Sequence, residues 1–328
     1  MEAQWNNEKF DMPRLGLGTW QAPKGVVANA VKEAIRAGYR LIDCAAAYGN
    51  EKEIGNALHE MIMETKEVTR DDLFIVSKVF NTHHVFGEDV DRPKRALRQT
   101  LEDLRLEKLD LWLMHWPISF AEEVIPDGGL RDSKGKPNSK LTIQEEYIET
   151  WKCMEKLKDE GFVKHIGVSN FRRDQIENIL KNKLTKPVVN QIELHPYLQQ
   201  PDLVTFSKQH NILIMAYSPL GSKASYSGST YPKDVGCTLM DNPTIIAIAN
   251  KSKHSPAQVL IKWSLQSGFV CIPKSATASR IRDNFMPEID KNWVLDEDDM
   301  SKISELNRDF RYSIGYIPGH YDCENAPW

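Results

Sequence analysis

The carboxyl ends of three predicted strands carry four ionisable side chains of different types. They are the carboxylate Asp43, the phenol Tyr48, the ammonium Lys78 and the imidazole His115. Lys78 lies inside the apolar run IVSKVF, where an unpaired ammonium is costly to bury. Asp43 on the adjacent strand can supply its partner. The set therefore predicts a convergent site at one edge of a sheet.

Each of these residues taken alone also has a structural interpretation. Asp43 and Lys78 could form an ion pair at the rim, Tyr48 could be a half-buried packing residue, and His115 could be a satisfied core histidine. Their coincidence on neighbouring strand ends favours a catalytic role.

The chemistry that this set suggests is acid catalysis on a carbonyl group. A phenol with a pKa near ~10 is a weak acid at neutral pH. A neighbouring ammonium favours the phenolate, so Lys78 is expected to lower the pKa of Tyr48. Asp43 would keep Lys78 charged, and a neutral His115 could donate a hydrogen bond to a carbonyl oxygen that receives a hydride.

Other reactive residue types lack the spacing that their chemistry needs. No serine lies in a G-x-S-x-G turn. His83 and His84 are adjacent in a predicted loop, and His115 and His195 lack nearby partners, so no metal site is expected. The five cysteines are odd in number and widely spread, which disfavours a disulfide framework.

Eight strand-like runs, nearly all followed by helical patterns, position these side chains. The runs are 14–19, 39–45, 73–80, 109–116, 165–170, 188–194, 212–220 and 269–274. They are continuously apolar, as expected when both faces are covered. No third glycine completes a G-x-G-x-x-G turn after GLGTW (16–20), which disfavours a doubly wound dinucleotide fold. The pattern predicts an α/β protein with a (β/α)8 TIM barrel.

Several capping signals set the predicted helix ends. Gly38 is expected at a C-cap. Ser255, followed by Pro256 and Gln258, is expected to open a helix. Thr142 with Glu145 predicts a helix that runs to Gly161.

The remaining segments are expected at the rim of one domain that spans 1–328. They are an N-terminal hairpin at 4–12, long loops at 118–140 and 221–240, and a C-terminal tail at 308–328. Loops of this kind on a rigid barrel usually set specificity.

Composition places the chain among cytoplasmic globular proteins. Apolar residues are 41 % and the formal net charge is −4, which gives no reason to expect nucleic acid or a membrane surface as partner. The polar N-terminus does not resemble a signal peptide, and no apolar run reaches 18 residues.

Seven segments resemble the aldo-keto reductase superfamily, most closely its aldose, aldehyde and xylose reductase branch. They are GLGTW (16–20), DCAAAYGNE (43–51), LMHWP (113–117), GFVKHIGVSNF (161–171), NQIELHPY (190–197), YSPLG (217–221) and IPKSATASRIRDNF (272–285). The resemblance covers nearly the whole chain in the right order. It implies an NADPH-dependent carbonyl reductase in which Tyr48 donates the proton and His115 orients the carbonyl. Lys78 and Asp43 would adjust the acidity of Tyr48.

The resemblance also assigns cofactor contacts to the ends of the later strands. Those for the nicotinamide are Ser169, Asn170, Gln191 and Tyr217; those for the pyrophosphate are Ser218, Leu220 and Ser222; those for the 2′-phosphate are Lys274, Ser275 and Arg280; and Asn284 falls near the adenine. The strand ends support this placement independently, and two cations beside a Ser/Thr-rich turn suit a dianionic phosphate. Without the resemblance, the same turn would be interpreted as a solvated helix start.

The sequence departs from the family pattern at three positions near the cofactor. Gln21 and Ala224 stand where some relatives carry a lysine and an aspartate that clasp the cofactor, and Asp283 replaces a glutamate near the adenine. We therefore do not expect Gln21 and Ala224 to hold the bound cofactor as tightly as that lysine and aspartate would.

Aromatic residues are expected to wall the substrate pocket beside Tyr48. They are Trp20, Phe80 and Trp116, together with Trp328 in the tail, while Ala47 offers no hydrogen bond. Each could instead be packing at the rim. The sequence leaves open an aldose, an aromatic aldehyde or a ketone as substrate. It also leaves open NADH preference, and an NADPH-binding regulatory subunit with little turnover. We expect a monomer that acts on a small carbonyl compound.

Overall fold

A computed structural model describes residues 11–120, 143–144, 146–222 and 236–312 of the chain. Of the predicted rim segments, most of the hairpin at 4–12, most of the loop at 118–140, the loop residues 223–235 including Ala224, and the tail beyond Tyr312 lie outside the described residues.

All eight apolar runs contain strands, and these form one parallel sheet. The strands in chain order are β1 (Gly16–Gly18), β2 (Leu41–Asp43), β3 (Phe74–Val79), β4 (Leu109–Met114), β5 (Ser119–Phe120), β6 (Ile143–Gln144), β7 (Val163–Ser169), β8 (Val189–Glu193), β9 (Leu213–Tyr217) and β10 (Val270–Cys271). Neighbours in the main sheet follow the order β1-β2-β3-β4-β7-β8-β9-β10. Bridges from Leu15 to Cys271 and from Gly18 to Lys274 join its two edges. The predicted (β/α)8 barrel is confirmed.

Glycines permit close approach where the barrel closes. A Cβ on Gly16 would lie 2.5 Å from the Leu41 side chain, and one on Gly18 would lie 2.9 Å from the carbonyl oxygen of Ile272. Both distances are too short for any larger residue without movement of β2 or of the closing edge.

Helices cover the outside of the barrel. They are α1 (Val27–Ala37), α2 (Glu51–His59), α3 (Arg92–Leu104), α4 (Ile148–Asp159), α5 (Arg173–Lys181), α6 (Pro201–Gln209), α7 (Pro243–Ser252), α8 (Pro256–Gln266), α9 (Ala278–Ile289) and α10 (Glu297–Ser304). Gly38 ends α1 with a φ of 110°, as predicted. The predicted capping box of Ser255 and Gln258 opens α8. No helix among the described residues has the length and apolar character needed to cross a membrane.

Two helix predictions need correction. The helix expected from Thr142 begins at Ile148, because Ile143–Gln144 form β6, which pairs antiparallel with β5. Thr142 and Glu145 themselves lie outside the described residues. Helix α7 was not predicted, although the Asn242 side chain caps it and Pro243 occupies its first position.

The barrel interior changes from apolar to polar along the strands. Inward positions recur every second residue. At the amino ends they carry a cluster that includes Phe74, Leu111 and Val189. Further along the same strands, the same faces carry Lys78 on β3 and Gln191 on β8. The period of two therefore places polar side chains together at the carboxyl ends, the usual site of catalysis in this fold.

Candidate active site

Lys78 and Asp43 form a fully buried ion pair inside the barrel. The Lys78 Nζ donates to both carboxylate oxygens of Asp43 at 2.8 Å and to the carbonyl oxygen of Cys44 at 2.9 Å. The Lys78 side chain is 0 % exposed. The partner that burial requires for this lysine is thus present, together with a backbone acceptor that no sequence pattern predicted.

Tyr48 reaches the same ammonium from a short 3₁₀ turn. The turn, Ala46–Tyr48, follows β2 and ends at Gly49 with a φ of 65°. The Lys78 Nζ donates to Tyr48 Oη at 3.2 Å. Asn50 fixes this turn through a hydrogen bond from Nδ2 to the Thr19 carbonyl oxygen at 3.0 Å. The phenol is therefore held against a charged donor at the barrel mouth.

His115 directly follows β4 and faces Tyr48. Its ring lies edge-on to the rings of Tyr48 and Phe80, with centroids 5.8 Å apart in both cases. Its Nδ1 is buried and has no hydrogen-bond partner among the described residues. Burial, with smaller contributions from Lys78 and His84, holds the pKa of His115 well below its usual value. The ring is neutral at physiological pH and can donate one hydrogen bond.

The pKa of Tyr48 shifts in the direction opposite to the one expected. Burial is the largest cause and raises the Tyr48 pKa well above 10, and Asp43, Cys44 and Glu51 raise it further. Lys78 does not reverse this shift because the Asp43 carboxylate, at hydrogen-bond distance, offsets its charge. Tyr48 is consequently protonated throughout the physiological range, as a proton donor must be.

The predicted nicotinamide residues form a hydrogen-bonded network beside this set. Asn170 donates from Nδ2 to the His115 carbonyl oxygen at 3.0 Å and to Ser169 Oγ at 3.1 Å, and its Oδ1 accepts from Tyr217 Oη at 3.0 Å. Ser169 Oγ donates to the Gln191 carbonyl oxygen at 2.9 Å. The network is continuous across β4, β7, β8 and β9.

Gln191 connects that network to the ion pair. Its Nε2 donates to Asp43 Oδ1 at 2.8 Å and to Met215 Sδ at 3.0 Å. Its Oε1 has no hydrogen-bond partner within the described part of the chain, so it can accept from an amide. Asp43 Oδ1 thus accepts hydrogen bonds from both Lys78 and Gln191.

The residues predicted to contact phosphates lie around the end of β9 and the start of α9. Ser218 has a φ of 51°, and its carbonyl oxygen accepts from Gly221 N at 2.8 Å in a tight turn that precedes Ser222. Leu220 packs against the apolar core on its inner side.

Two exposed cations stand at the start of α9. Within the residues that the structure describes, neither Lys274 nor Arg280 forms an ion pair, whereas Arg282 on the same helix pairs with Glu33 at 2.8 Å. The N-cap of α9 has no side-chain hydrogen bond to its first-turn amides. Ser275 lies between the cations, and Asn284 is buried on α9. Two cations without a carboxylate partner, next to first-turn N–H groups without a side-chain cap, are features of an anion-binding site.

The predicted substrate residues are not equivalent in the structure. Phe80 is half-buried and lies beside His115, as an aromatic wall would. Trp20 is half-buried two residues after β1. Trp116 is only 8 % exposed, so little of its surface is left to face a substrate. Trp328 lies outside the described residues.

Sequence reasoning missed two buried acidic groups. Glu51 accepts from Ser77 Oγ at 2.5 Å and Thr100 Oγ1 at 3.1 Å, and burial raises its pKa to about 7. The second group is Glu193, whose Oε1 lies 2.9 Å from His195 Nε2. Glu193 and His195 are two residues apart, and this spacing places side chains on the same side of an extended chain. That spacing was the sequence signal that could have predicted their contact.

Known proteins are similar to this chain over most of its length. The profile of the Aldo/keto reductase family matches residues 14–308. Aldo-keto reductase family 1 member A1-A of Danio rerio is 45 % identical over 308 residues, covering 92 % of this chain and 89 % of that protein. Aldo-keto reductase family 1 member A1 of Homo sapiens is 42 % identical over 306 residues, covering 92 % and 88 %.

Solved structures agree with these matches. The aldose reductase of Schistosoma japonicum superimposes with a TM-score of 0.78 at 37 % identity, covering 92 % of this chain and 90 % of that one. The aldose reductase of Giardia lamblia gives a TM-score of 0.79 at 35 % identity, covering 91 % and 93 %.

Proposed function

This chain belongs to the aldo/keto reductase family, in its aldehyde and aldose reductase branch, and from that premise we propose that it reduces aldehyde carbonyls to alcohols with NADPH. Membership makes the protein an oxidoreductase that acts on carbonyl groups with a nicotinamide cofactor. The choice of NADPH, the aldehyde substrate and the proton donor are the proposed part. The observation that carries the proposal is the hydrogen bond from Lys78 to Tyr48 beside His115.

The polar groups at the barrel mouth fit a phosphorylated dinucleotide. Lys274 and Arg280 lack carboxylate partners in the described chain and lie beside open first-turn amides of α9. Gln191 Oε1 is available to accept from the nicotinamide carboxamide. When bound, the reduced nicotinamide would supply a hydride to the carbonyl carbon.

Tyr48 would deliver the proton to the carbonyl oxygen. An alkoxide is a stronger base than a phenolate, so the transfer is favourable even though the pKa of Tyr48 is raised. The Lys78 Nζ, 3.2 Å from Oη, would donate a hydrogen bond to the phenolate that remains. Neutral His115 would donate a hydrogen bond to the same carbonyl oxygen and so orient the substrate.

The proposal is tested by a carbonyl panel with the purified chain. We expect NADPH oxidation, followed by cofactor absorbance, with benzaldehyde or glyceraldehyde at a turnover of about 1 s⁻¹ or more. Xylose, glucuronate and a steroid ketone then define the substrate class. Binding of NADPH without turnover of any carbonyl would contradict the proposal and favour a regulatory subunit.

Cofactor selectivity is predicted to depend on Arg280. The Arg280→Ala variant removes one charged donor from the proposed 2′-phosphate site, and we expect the KM for NADPH to rise about 10- to 100-fold. The KM for NADH, which lacks that phosphate, should stay within a factor of two or so of the wild-type value by the same reasoning.

Arg282→Ala is the matched control, because Arg282 is on the same helix but pairs with Glu33. Its KM for NADPH should not change. Equal effects of the two variants on NADPH and NADH would show that Arg280 does not recognise the phosphate.

We extend the proposal to location and assembly. The composition favours a cytoplasmic protein with no nucleic acid or membrane partner. The resemblance to the family favours a monomer whose partners are the cofactor and a small carbonyl compound.

A further inference from the structure

Tyr312 is completely buried where three separate segments of the barrel rim meet. Its backbone N–H donates to Glu193 Oε1 at 2.7 Å, a contact between residues 119 positions apart. Glu193 is the last residue of β8, at the carboxyl end of the strand, and is fully buried. The hydrogen bond therefore attaches the segment after α10 to the sheet.

The Glu193 carboxylate is an anionic anchor. Burial acts to raise its pKa, but His195, Arg311 and the Tyr312 N–H outweigh burial and lower the Glu193 pKa. The His195 ring also lies edge-on to the Tyr312 ring, with centroids 5.1 Å apart. Tyr312 is thus fixed both at its backbone and at its ring.

The ring of Tyr312 packs on the turn that precedes Ser222. A Cβ on Gly221 would lie 2.9 Å from Cε2 and Cζ of Tyr312 and 3.0 Å from its Oη. Only a glycine lets the turn come this close to the ring, and its φ of 72° also favours glycine. Leu220, next to Gly221, packs against the same apolar cluster as Tyr312.

The hydroxyl of Tyr312 extends this contact to a third segment. The Leu239 N–H donates to Tyr312 Oη at 3.3 Å at the start of a 3₁₀ turn, Leu239–Asp241. One side chain therefore contacts the turn at 218–222 and the segment at 239.

We propose that Tyr312 is a positioning residue for the dinucleotide. It holds the turn at 218–222 in the conformation that presents Ser218, Leu220 and Ser222 to the pyrophosphate. This inference rests on the proposed function, because it assumes that NADPH binds at this turn. Tyr312 acts only through the turn and does not touch the reacting atoms.

The test compares the Kd for NADPH, measured by quenching of protein fluorescence, in three variants. Tyr312→Ala removes the ring and should weaken NADPH binding about tenfold, equivalent to about 1.4 kcal/mol. Tyr312→Phe keeps the ring on Gly221 and loses only the acceptor for Leu239 N, so a loss of about threefold or less is expected. At saturating NADPH, Tyr312→Ala should retain the wild-type kcat.

Leu157→Ala controls for general loss of stability. Leu157 is 1 % exposed on α4, and its carbonyl oxygen accepts from Phe162 N at the amino end of β7, the opposite end of the barrel from the turn. This variant should lower Tm without changing the Kd. A wild-type Kd in Tyr312→Ala, or an equal loss in Leu157→Ala, would overturn the inference while leaving the proposed function intact. Failure of the wild-type protein to bind NADPH would overturn both.

Discussion

Tyr48→Phe should abolish turnover while NADPH still binds. Removal of the only proposed proton donor is expected to lower kcat by about 10³-fold or more, within the range of general acid catalysis. The fold should survive because Lys78 keeps both oxygens of Asp43 and the Cys44 carbonyl as acceptors. Steady-state kinetics with an aldehyde, together with the Kd for NADPH, measures the two quantities separately.

Tyr39→Phe is the matched control for this variant. Tyr39 is also buried, and its hydroxyl donates to the Ile281 carbonyl oxygen on α9 at 3.2 Å, not to any group proposed for proton transfer. The same chemical change there should cost about 1 kcal/mol of stability and leave kcat unchanged. If Tyr48→Phe retained more than roughly a tenth of the wild-type kcat, another group would have to be the acid.

Lys78→Met should impair both stability and catalysis. It leaves the Asp43 carboxylate buried without its ammonium, which we expect to lower the free energy of unfolding by about 3–5 kcal/mol. It also removes the donor to Tyr48 Oη, and kcat should fall by about 10²- to 10⁴-fold. Urea unfolding and steady-state kinetics measure these effects.

A double variant separates the two roles of Lys78. Asp43→Asn combined with Lys78→Met removes both charges, so most of the lost stability should return. Catalysis should not return, because the phenolate still lacks its donor. Recovery of kcat in parallel with stability would mean that Lys78 acts only on the fold.

The ion pair was predictable from sequence because its cause is local. A lysine within a continuous apolar strand requires a buried partner, and the neighbouring strand offers Asp43. The same logic of strand ends at one edge predicted the convergence of Tyr48, His115 and Ser169 at the barrel mouth.

The sign of the Tyr48 pKa shift was not predictable in this way. It depends on how the folded barrel mouth surrounds the half-buried Tyr48 side chain and on the charges of Asp43 and Glu51 near it. Glu51 belongs to a helix and reaches Ser77 on the outer face of β3. The contact between Glu51 and Ser77 depends on how α2 packs on the barrel. The spacing of residues along one strand does not predict that packing.

Contacts between distant segments were also invisible in the sequence. The hydrogen bond from Tyr312 to Glu193 joins two segments whose local patterns carry no mutual signal. The start of α4 was predicted too early because a capping signal near Thr142 competes with strand pairing of Ile143–Gln144 with β5, which is a tertiary effect.

The hydrogen bond from Gln191 to Asp43 has a consequence for anyone who redesigns this enzyme. Asp43 Oδ1 accepts a hydrogen bond from Lys78, which contacts the proposed acid Tyr48, and another from Gln191, which is proposed to bind the nicotinamide. Lys78 and Gln191 therefore cannot be altered independently. Directed changes of substrate preference belong in the outer segments, where substitutions leave this shared acceptor untouched. Substitutions of Gln191 that are meant to change how the nicotinamide is bound should disturb proton transfer from Tyr48 at the same time.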